Sequence, residues 1–273
     1  PTTIARAAGY VFELVDGFLG KLGRPVGVKA YKPHHSTGED FLHTYLGMVG
    51  LPIEMVPDFP DDSQTVLLTE SARFDPAIVG KIKAQLTAGR NVVITSGLLR
   101  ALQGKGIEEV AELEHTGRTI TTSQFRRGFF GAGAGPMDSP ITIPQIRYLT
   151  NDAWELIGCL TNNTGYPLLI QAGYAKGLLY VLVIPDDLGD LYKLPSDVLT
   201  QIKNVVAGDL FVRLDGPAHV GLFVYDNDTF IVESFLDGPV DVGVAVDRRF
   251  NRLRDLVTGE VLSAGPAPGE GGP

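Results

Sequence analysis

Apolar side chains recur at steps of three and four through Ile4, Ala7, Ala8, Val11, Phe12, Val15, Phe18, Leu19 and Leu22. That is the period of a helix with one broad apolar face. The face has to cover something: the domain that follows, or the end of a domain upstream in a longer chain. Short apolar runs then alternate with amphipathic stretches. Residues 26–31 read as a strand, and residues 33–40 as a loop entering a helix at 39–49. Ser36 with Glu39, or Thr37 with Asp40, fits a capping box, and Gly50 fits the C-terminal stop. Residues 53–56 and 65–69 read as further strands, the second apolar enough to be buried on both faces. Asp75-Pro76 opens a helix that Ile78, Ile82 and Leu86 line on one side and Gly89 ends. The run NVVIT at 91–95 is a fourth strand, and Ser96-Gly97 turns the chain into a helix at 98–102.

Strands alternating with helices predict a parallel sheet with right-handed crossovers. Residues 103–150 read as an insertion of short strands with a mobile glycine-rich loop at 131–136. Residues 167–171 and 178–184 form a hairpin around Gly173 and Gly177, and residues 195–206 a helix with Val198, Ile202 and Val206 on one face. From Asp209 the pattern is β only. Runs at 210–214, 219–225, 229–235 and 240–246 are separated by turn signals, Asp226-Asn227-Asp228 among them, which predicts a small antiparallel sandwich. The expected organisation is a helix at 1–24, an α/β domain at 25–207, a β domain at 208–264 and a disordered tail at 265–273.

Composition narrows the classes. Of 273 residues, 44% are hydrophobic and 20% charged, an ordinary globular balance, and the net charge is −9. The acidic balance argues against nucleic-acid and anionic-membrane partners, and no apolar run approaches a membrane span. A single cysteine excludes an internal disulfide and a multi-thiolate metal site. No cofactor is expected. There is no signal-peptide pattern, which leaves the compartment open with the cytoplasm favoured. Asn162-Asn163-Thr164 and Asn227-Asp228-Thr229 match the glycosylation sequon, which matters only in a secretory context. The Asp186, Asp187 and Asp190 group lacks the twelve-residue calcium-loop pattern.

Candidate chemistry gathers in the loops at the carboxyl ends of the parallel strands, where such sheets bind ligands. Those loops hold His34, His35, Glu39, Asp40, Glu70, Ser71, Ser96 and Gly97. Adjacent histidines on an extended segment diverge. His43 can share a helix face with Glu39 or Asp40, and a metal held by His34 or His35 with Glu39 or Asp40 is allowed by spacing, but a polar ligand cluster or a plain capping loop fits better, so no metal is assigned. Ser96, His35 and Glu39 are the weak catalytic candidates. A serine nucleophile usually sits in Gly-x-Ser-x-Gly, whereas Ile94-Thr95-Ser96-Gly97-Leu98 has no glycine two residues either side, so Ser96 reads first as a helix cap. Asn151, Asp152 and Trp154 form a second candidate: a ring face for a sugar beside polar groups for its hydroxyls, or a buried aromatic beside a turn. Cys159 reads as a small core residue.

The order of elements resembles a known arrangement. Residues 26–33, Gly38-Glu39-Asp40 opening the first helix, 66–69, and 82–97 with Ala88-Gly89-Arg90-Asn91-Val92-Val93 resemble the class I glutamine amidotransferase-like domain. That domain is the trimerisation domain of some β-galactosidases. Residues 220–235 and 254–260 look like the small β domain that closes many glycoside hydrolases. The resemblance spans about residues 26–262. It implies a flavodoxin-like three-layer α/β fold followed by an antiparallel β-sandwich, within the C-terminal region of a multidomain bacterial glycoside-hydrolase-like protein. It also implies an upstream (β/α)8 barrel carrying the catalytic carboxylates, homo-oligomeric assembly, and a carbohydrate as partner. An active amidotransferase needs a cysteine at the turn where Ser96 stands, so glutaminase chemistry is not expected. The leading expectation is a non-catalytic accessory or oligomerisation region, enzymatic only as part of a longer glycoside hydrolase. The alternative is a stand-alone sugar-binding protein or hydrolase using the crevice around His34, His35 and Ser96.

Overall fold

The computed structural model describes residues 2–128, 133–134, 137, 139–149, 152–162 and 164–263. Asn151, Asn163 of the first sequon and the tail at 265–273 lie outside them, as does most of the 131–136 loop. Helix α1 (Thr2–Leu19) precedes β1 (Pro25–Val26), β2 (Val28–Tyr31), α2 (Leu42–Met48), β3 (Ile53–Val56), β4 (Thr65–Leu68), α3 (Ile78–Thr87), β5 (Asn91–Thr95) and α4 (Ser96–Leu102). Then come β6 (Leu113–Thr122), β7 (Gln124–Arg127), β8 (Gly133–Ala134), β9 (Ile141–Tyr148), β10 (Ala153–Thr161), β11 (Thr164–Tyr174), β12 (Gly177–Leu182) and α5 (Ser196–Val206). The chain closes with β13 (Val212–Asp215), β14 (Val220–Tyr225), β15 (Phe230–Ser234), β16 (Gly243–Val246), β17 (Arg252–Arg254) and β18 (Val261–Ser263).

The main sheet runs β3-β2-β4-β5-β12-β11-β10-β7-β8. Its first five strands are parallel. In chain order they lie second-first-third-fourth-fifth, the flavodoxin arrangement, with a switch point between β2 and β4. The expected hairpin is β11–β12. It carries the sheet onward into an antiparallel half through β10 and β7. The expected burial holds where the pattern was clearest. All of β4 is buried, as are Ile78, Ile82 and Leu86 of α3 and Val198, Ile202 and Val206 of α5.

Three local readings change. The strand expected at 26–31 breaks at Gly27, and its two halves enter different sheets. β2 joins the main sheet, while β1 pairs with β14 of the C-terminal β region. Arg24 reinforces that pairing by donating its backbone N–H and its Nε to the two carboxylate oxygens of Asp226, each at 2.9 Å. The helix expected from 39 begins at Leu42, because Gly38 and Glu39 take left-handed backbone angles (φ 118° and 49°) that a right-handed helix cannot hold. Neither capping box forms: Ser36 Oγ donates to the Pro33 carbonyl, and Asp40 accepts from Gly38 N–H. At the start of α4 the cap is Thr95, whose Oγ1 accepts from Leu98 N–H at 3.2 Å, and not Ser96.

The C-terminal region is antiparallel, with β1-β14-β15 and β13-β16 enclosing Val212, Leu214, Val220, Leu222 and Val224. Helix α1 ends at Leu19, short of the expected 24, and buries little. Ile4 is 77% exposed and Phe12 68%, while Val15, Phe18 and Leu22 are half-buried, so much of the face read from its pattern is left uncovered by the described residues. Among the described residues no helix is long and apolar enough to cross a membrane.

Candidate functional site

Glu39 stands at the switch point. The left-handed turn at Gly38-Glu39 swings its carboxyl group inward over the ends of β4 and β5. There Oε2 accepts from Thr95 Oγ1 at 2.6 Å and from Glu70 N–H at 2.8 Å. A Cβ on Gly97 would lie 2.5 Å from Glu39 Oε1, so the helix start after β5 has to be glycine for the carboxyl group to fit. Withdrawal from water pushes the Glu39 pKa up. The two hydrogen bonds oppose that shift, and the nearby Glu70 charge adds to it. Glu70 is itself paired with Arg73 at 2.6 Å and Arg100 at 3.6 Å.

The rest of the crevice is filled. Ser96 is 1% exposed, and its Oγ accepts from Ile184 N–H at 3.0 Å, tying the turn to the chain beyond β12. It is a structural link and not a presented nucleophile. The cavity left between Glu39, His43, Thr69 and Tyr31 measures about 10 Å³, room for one water. His34 and His35 are exposed, and neither is a partner of Glu39, whose bonds go to Thr95 and Glu70. Asp40 faces outward and pairs with Lys32, whose ammonium holds the carboxyl below its ordinary range. Among the described residues no three His, Cys, Asp or Glu side chains gather as a metal site.

Trp154 is not part of this crevice. It lies on β10, separated from β5 by β11 and β12, about 14 Å across the sheet at ordinary strand spacing. It is 49% exposed, and Asp152 beside it is exposed as well. The residue that matters on that strand is its neighbour, which sequence reasoning passed over. Glu155 is 5% exposed. Its Oε2 meets Arg126 Nη2 at 3.0 Å, and its Oε1 accepts from Tyr148 OH at 3.0 Å. Burial and the Glu155 charge push the Tyr148 hydroxyl up to about 12. The sequence carried little signal for it: the register of β10 shifts between Glu155 and Ile157 and again before Gly158, so Glu155 faces Gly158 and Arg126 and not the side of Ile157, and plain alternation along the strand misplaces it. Cys159 is fully buried on the same strand, and burial pushes its thiol up, with the Glu155 charge adding to the shift. Only thiolate reacts. A thiol reagent is therefore expected to label Cys159 no faster than the chain unfolds; rapid stoichiometric labelling in native buffer would contradict that burial.

A flavodoxin-order α/β unit joined to a small antiparallel β region, with its switch point closed by its own glutamate, defines the class. Residues 23–187, more than half of the chain, match the family described as "Uncharacterized protein SSO3021, second domain", and the chain belongs to that family. Residues 211–271 match "Probable glycosyl hydrolase, C-terminal domain". No curated protein sequence matches the chain. Among solved structures, the β-galactosidase from Bacillus circulans sp. alkalophilus is similar over 95% of this chain and 43% of its own, with a TM-score of 0.54 at 12% identity. A catalytic mutant of Gan42B, a GH42 β-galactosidase from G. stearothermophilus, is similar over 93% of this chain and 40% of its own, with a TM-score of 0.51 at 14% identity. The chain thus spans less than half the length of these β-galactosidases. The resemblance to the C-terminal part of a glycoside-hydrolase-like protein holds as a likeness of fold.

Proposed function

We propose that this chain is a non-catalytic assembly region of a larger glycoside-hydrolase-like protein, whose catalytic carboxylates lie in an upstream barrel. The observation that carries the reading is the match of nearly the whole chain to under half of a β-galactosidase. The site geometry supports it. The crevice that a stand-alone hydrolase or sugar-binding protein would use has room for one water, and the serine at the amidotransferase-type turn is buried and bonded to backbone. The role is homo-oligomeric assembly, and the apolar side chains that α1 leaves exposed belong to a contact made outside this chain.

The test uses this chain and the native polypeptide from its source cells. Intact mass, sedimentation and hydrolysis of nitrophenyl glycosides are measured on both. The expected result is a native polypeptide longer by a barrel of roughly 250 residues, with hydrolysis confined to it and self-association retained by this chain. Glycoside hydrolysis by this chain alone, or a native mass equal to its own, overturns the reading.

A further inference from the structure

Every residue on nearly half the circumference of α1 is apolar, from Leu14 round through Val11 and Ile4 to Phe12, a wider stripe than one contact needs. The rest of this chain engages only its C-terminal end. Val15, Phe18 and Leu22 are half-buried, and the last two line an apolar groove with Phe230, Val232 and Phe250 of the β region. Beyond that groove the helix overhangs, with Ile4, Val11, Phe12 and Leu14 between 42% and 77% exposed. The overhang is held firmly at its root. Gly23 N–H donates to Asn227 Oδ1 at 3.0 Å, and Asn227 Nδ2 donates to the Lys21 carbonyl at 2.8 Å, so the turn between β14 and β15 fixes the direction in which α1 leaves the β region. A surface held in place in advance costs little further ordering when it binds. A helix also draws most of its stability from the packing of its apolar face, and over the overhang the described residues supply little of it.

The overhanging face is complementary to itself. Along its centre Ile4, Ala8, Val11 and Val15 follow in steps of four, three and four, the spacing of a two-helix seam. Set antiparallel against a second copy, about a two-fold axis between residues 9 and 10, Ile4 comes level with Val15 of that copy and Ala8 with its Val11. Ala5 and Ala7 on the flanks fall beside its Phe12 and Leu14, so small side chains meet large ones. Arg6, Glu13 and Asp16 point away from the face, and pairing buries no charge. A parallel arrangement would drive the two β regions together, because Phe18 and Leu22 already hold one of them against this same face. The antiparallel one places them at opposite ends. The exposed apolar side chains offer on the order of 500 Å² per copy, or about 1,000 Å² for the pair, which is what a weak but specific interface needs. From this arrangement we infer that α1 pairs antiparallel with α1 of a second copy of this chain in a weak two-fold dimer. The pairing gives the assembly proposed above a surface and a partner, and rests on that reading.

Sedimentation equilibrium of the intact chain is expected to show monomer and dimer exchanging with a dissociation constant on the order of 10 μM. Val11→Asp puts a carboxylate at the centre of the pair. It should weaken association at least about tenfold and leave the thermal melt unchanged, since Val11 lies outside the core of this chain. Cross-linking reads the orientation. Ile4→Cys and Val15→Cys are made separately and oxidised alone and mixed. Alone, neither should form a disulfide dimer, because the two copies of either position lie about 16 Å apart along an antiparallel pair. The mixture should form one, and Cys159, being buried, stays out of the reaction. An unchanged equilibrium in Val11→Asp, cross-linking of Ile4→Cys with itself, no cross-link in the mixture, or a wild type that stays monomeric each overturns the inference. In the first three cases the chain still self-associates, and the assembly reading stands with its contact elsewhere. A monomeric wild type removes self-association as well and hands the α1 face to another domain. Hydrolysis of nitrophenyl glycosides by this chain removes the assembly reading whatever α1 does.

Discussion

Glu39→Ala is expected to cost about 2–4 kcal/mol of folding stability, from two stranded partners and a small cavity at the end of the sheet. The alanine removes the acceptor of Thr95 Oγ1 and Glu70 N–H at once. Glu39→Gln keeps a carbonyl oxygen in that place, so it should retain most of the stability at neutral pH. The pH dependence separates the two further. The unfolded chain releases the Glu39 proton near the ordinary value of 4.5, and the folded chain holds it to higher pH. The folded state therefore binds more protons over that range, and this group's contribution to stability falls as pH rises from 4.5 through the raised folded value. Urea melts of wild type and Glu39→Gln from pH 4 to 8 read it directly. Wild type should lose stability relative to the variant as pH rises, and parallel curves would refute a desolvated carboxyl. Gly97→Ala adds a coupled test. It should destabilise the wild type, where a Cβ meets Glu39 Oε1 at 2.5 Å, and do so less in the Glu39→Ala background.

The second large effect belongs to Lys203. It is 2% exposed on α5, and its Nζ donates to the Gly216 carbonyl at 3.0 Å, across the join between α5 and the β region. Burial pulls its pKa down to about 8, against a smaller opposing pull from Asp215. The unfolded chain keeps this lysine protonated up to its ordinary 10.5, so between pH 8 and 10.5 the unfolded state binds more protons and stability rises with pH. Over that window the gain is about 3 kcal/mol. Lys203→Met removes the titrating group at similar volume. The wild type should therefore gain about that much on the variant between pH 7.5 and 10.5, while Tyr148 and the other alkaline groups cancel in the difference. A constant difference would show that the ammonium is solvated in the folded protein.

Both groups illustrate where pattern reading stops. Glu39 was legible as a polar residue in a strand-end loop, and periodicity put it on the first turn of a helix. Its left-handed backbone, its inward direction and its bond to Glu70, 31 positions away, are decided by packing against β4 and β5. Lys203 sits in a helix whose buried face was read correctly from Val198, Ile202 and Val206. Lys203 lies four residues after Leu199 and three before Val206, so the spacing does put it on that face; what the spacing could not give is its partner, the Gly216 carbonyl of the β region. Strands β6 and β10 were hard for a different reason. Half of β6 is exposed and polar, and β10 begins beside Asp152 with an exposed Trp154, so neither shows the apolar run that marked β14.

By itself the sequence determined the alternation of apolar strands with amphipathic helices, the hairpin ahead of α5, the change to β structure after it, and a resemblance that predicted a glycosidase-associated fold. These are local properties, set by side-chain periodicity and turn residues within a dozen positions. The tertiary structure alone decided that β1 leaves its neighbour at Gly27 to pair with β14, that Glu39 fills the crevice where a ligand would sit, and that Glu155, Arg126 and Tyr148 meet from three separate strands. Those outcomes depend on contacts between residues far apart in the chain, whose energies come from desolvation and pairing in three dimensions and leave no periodic trace along it.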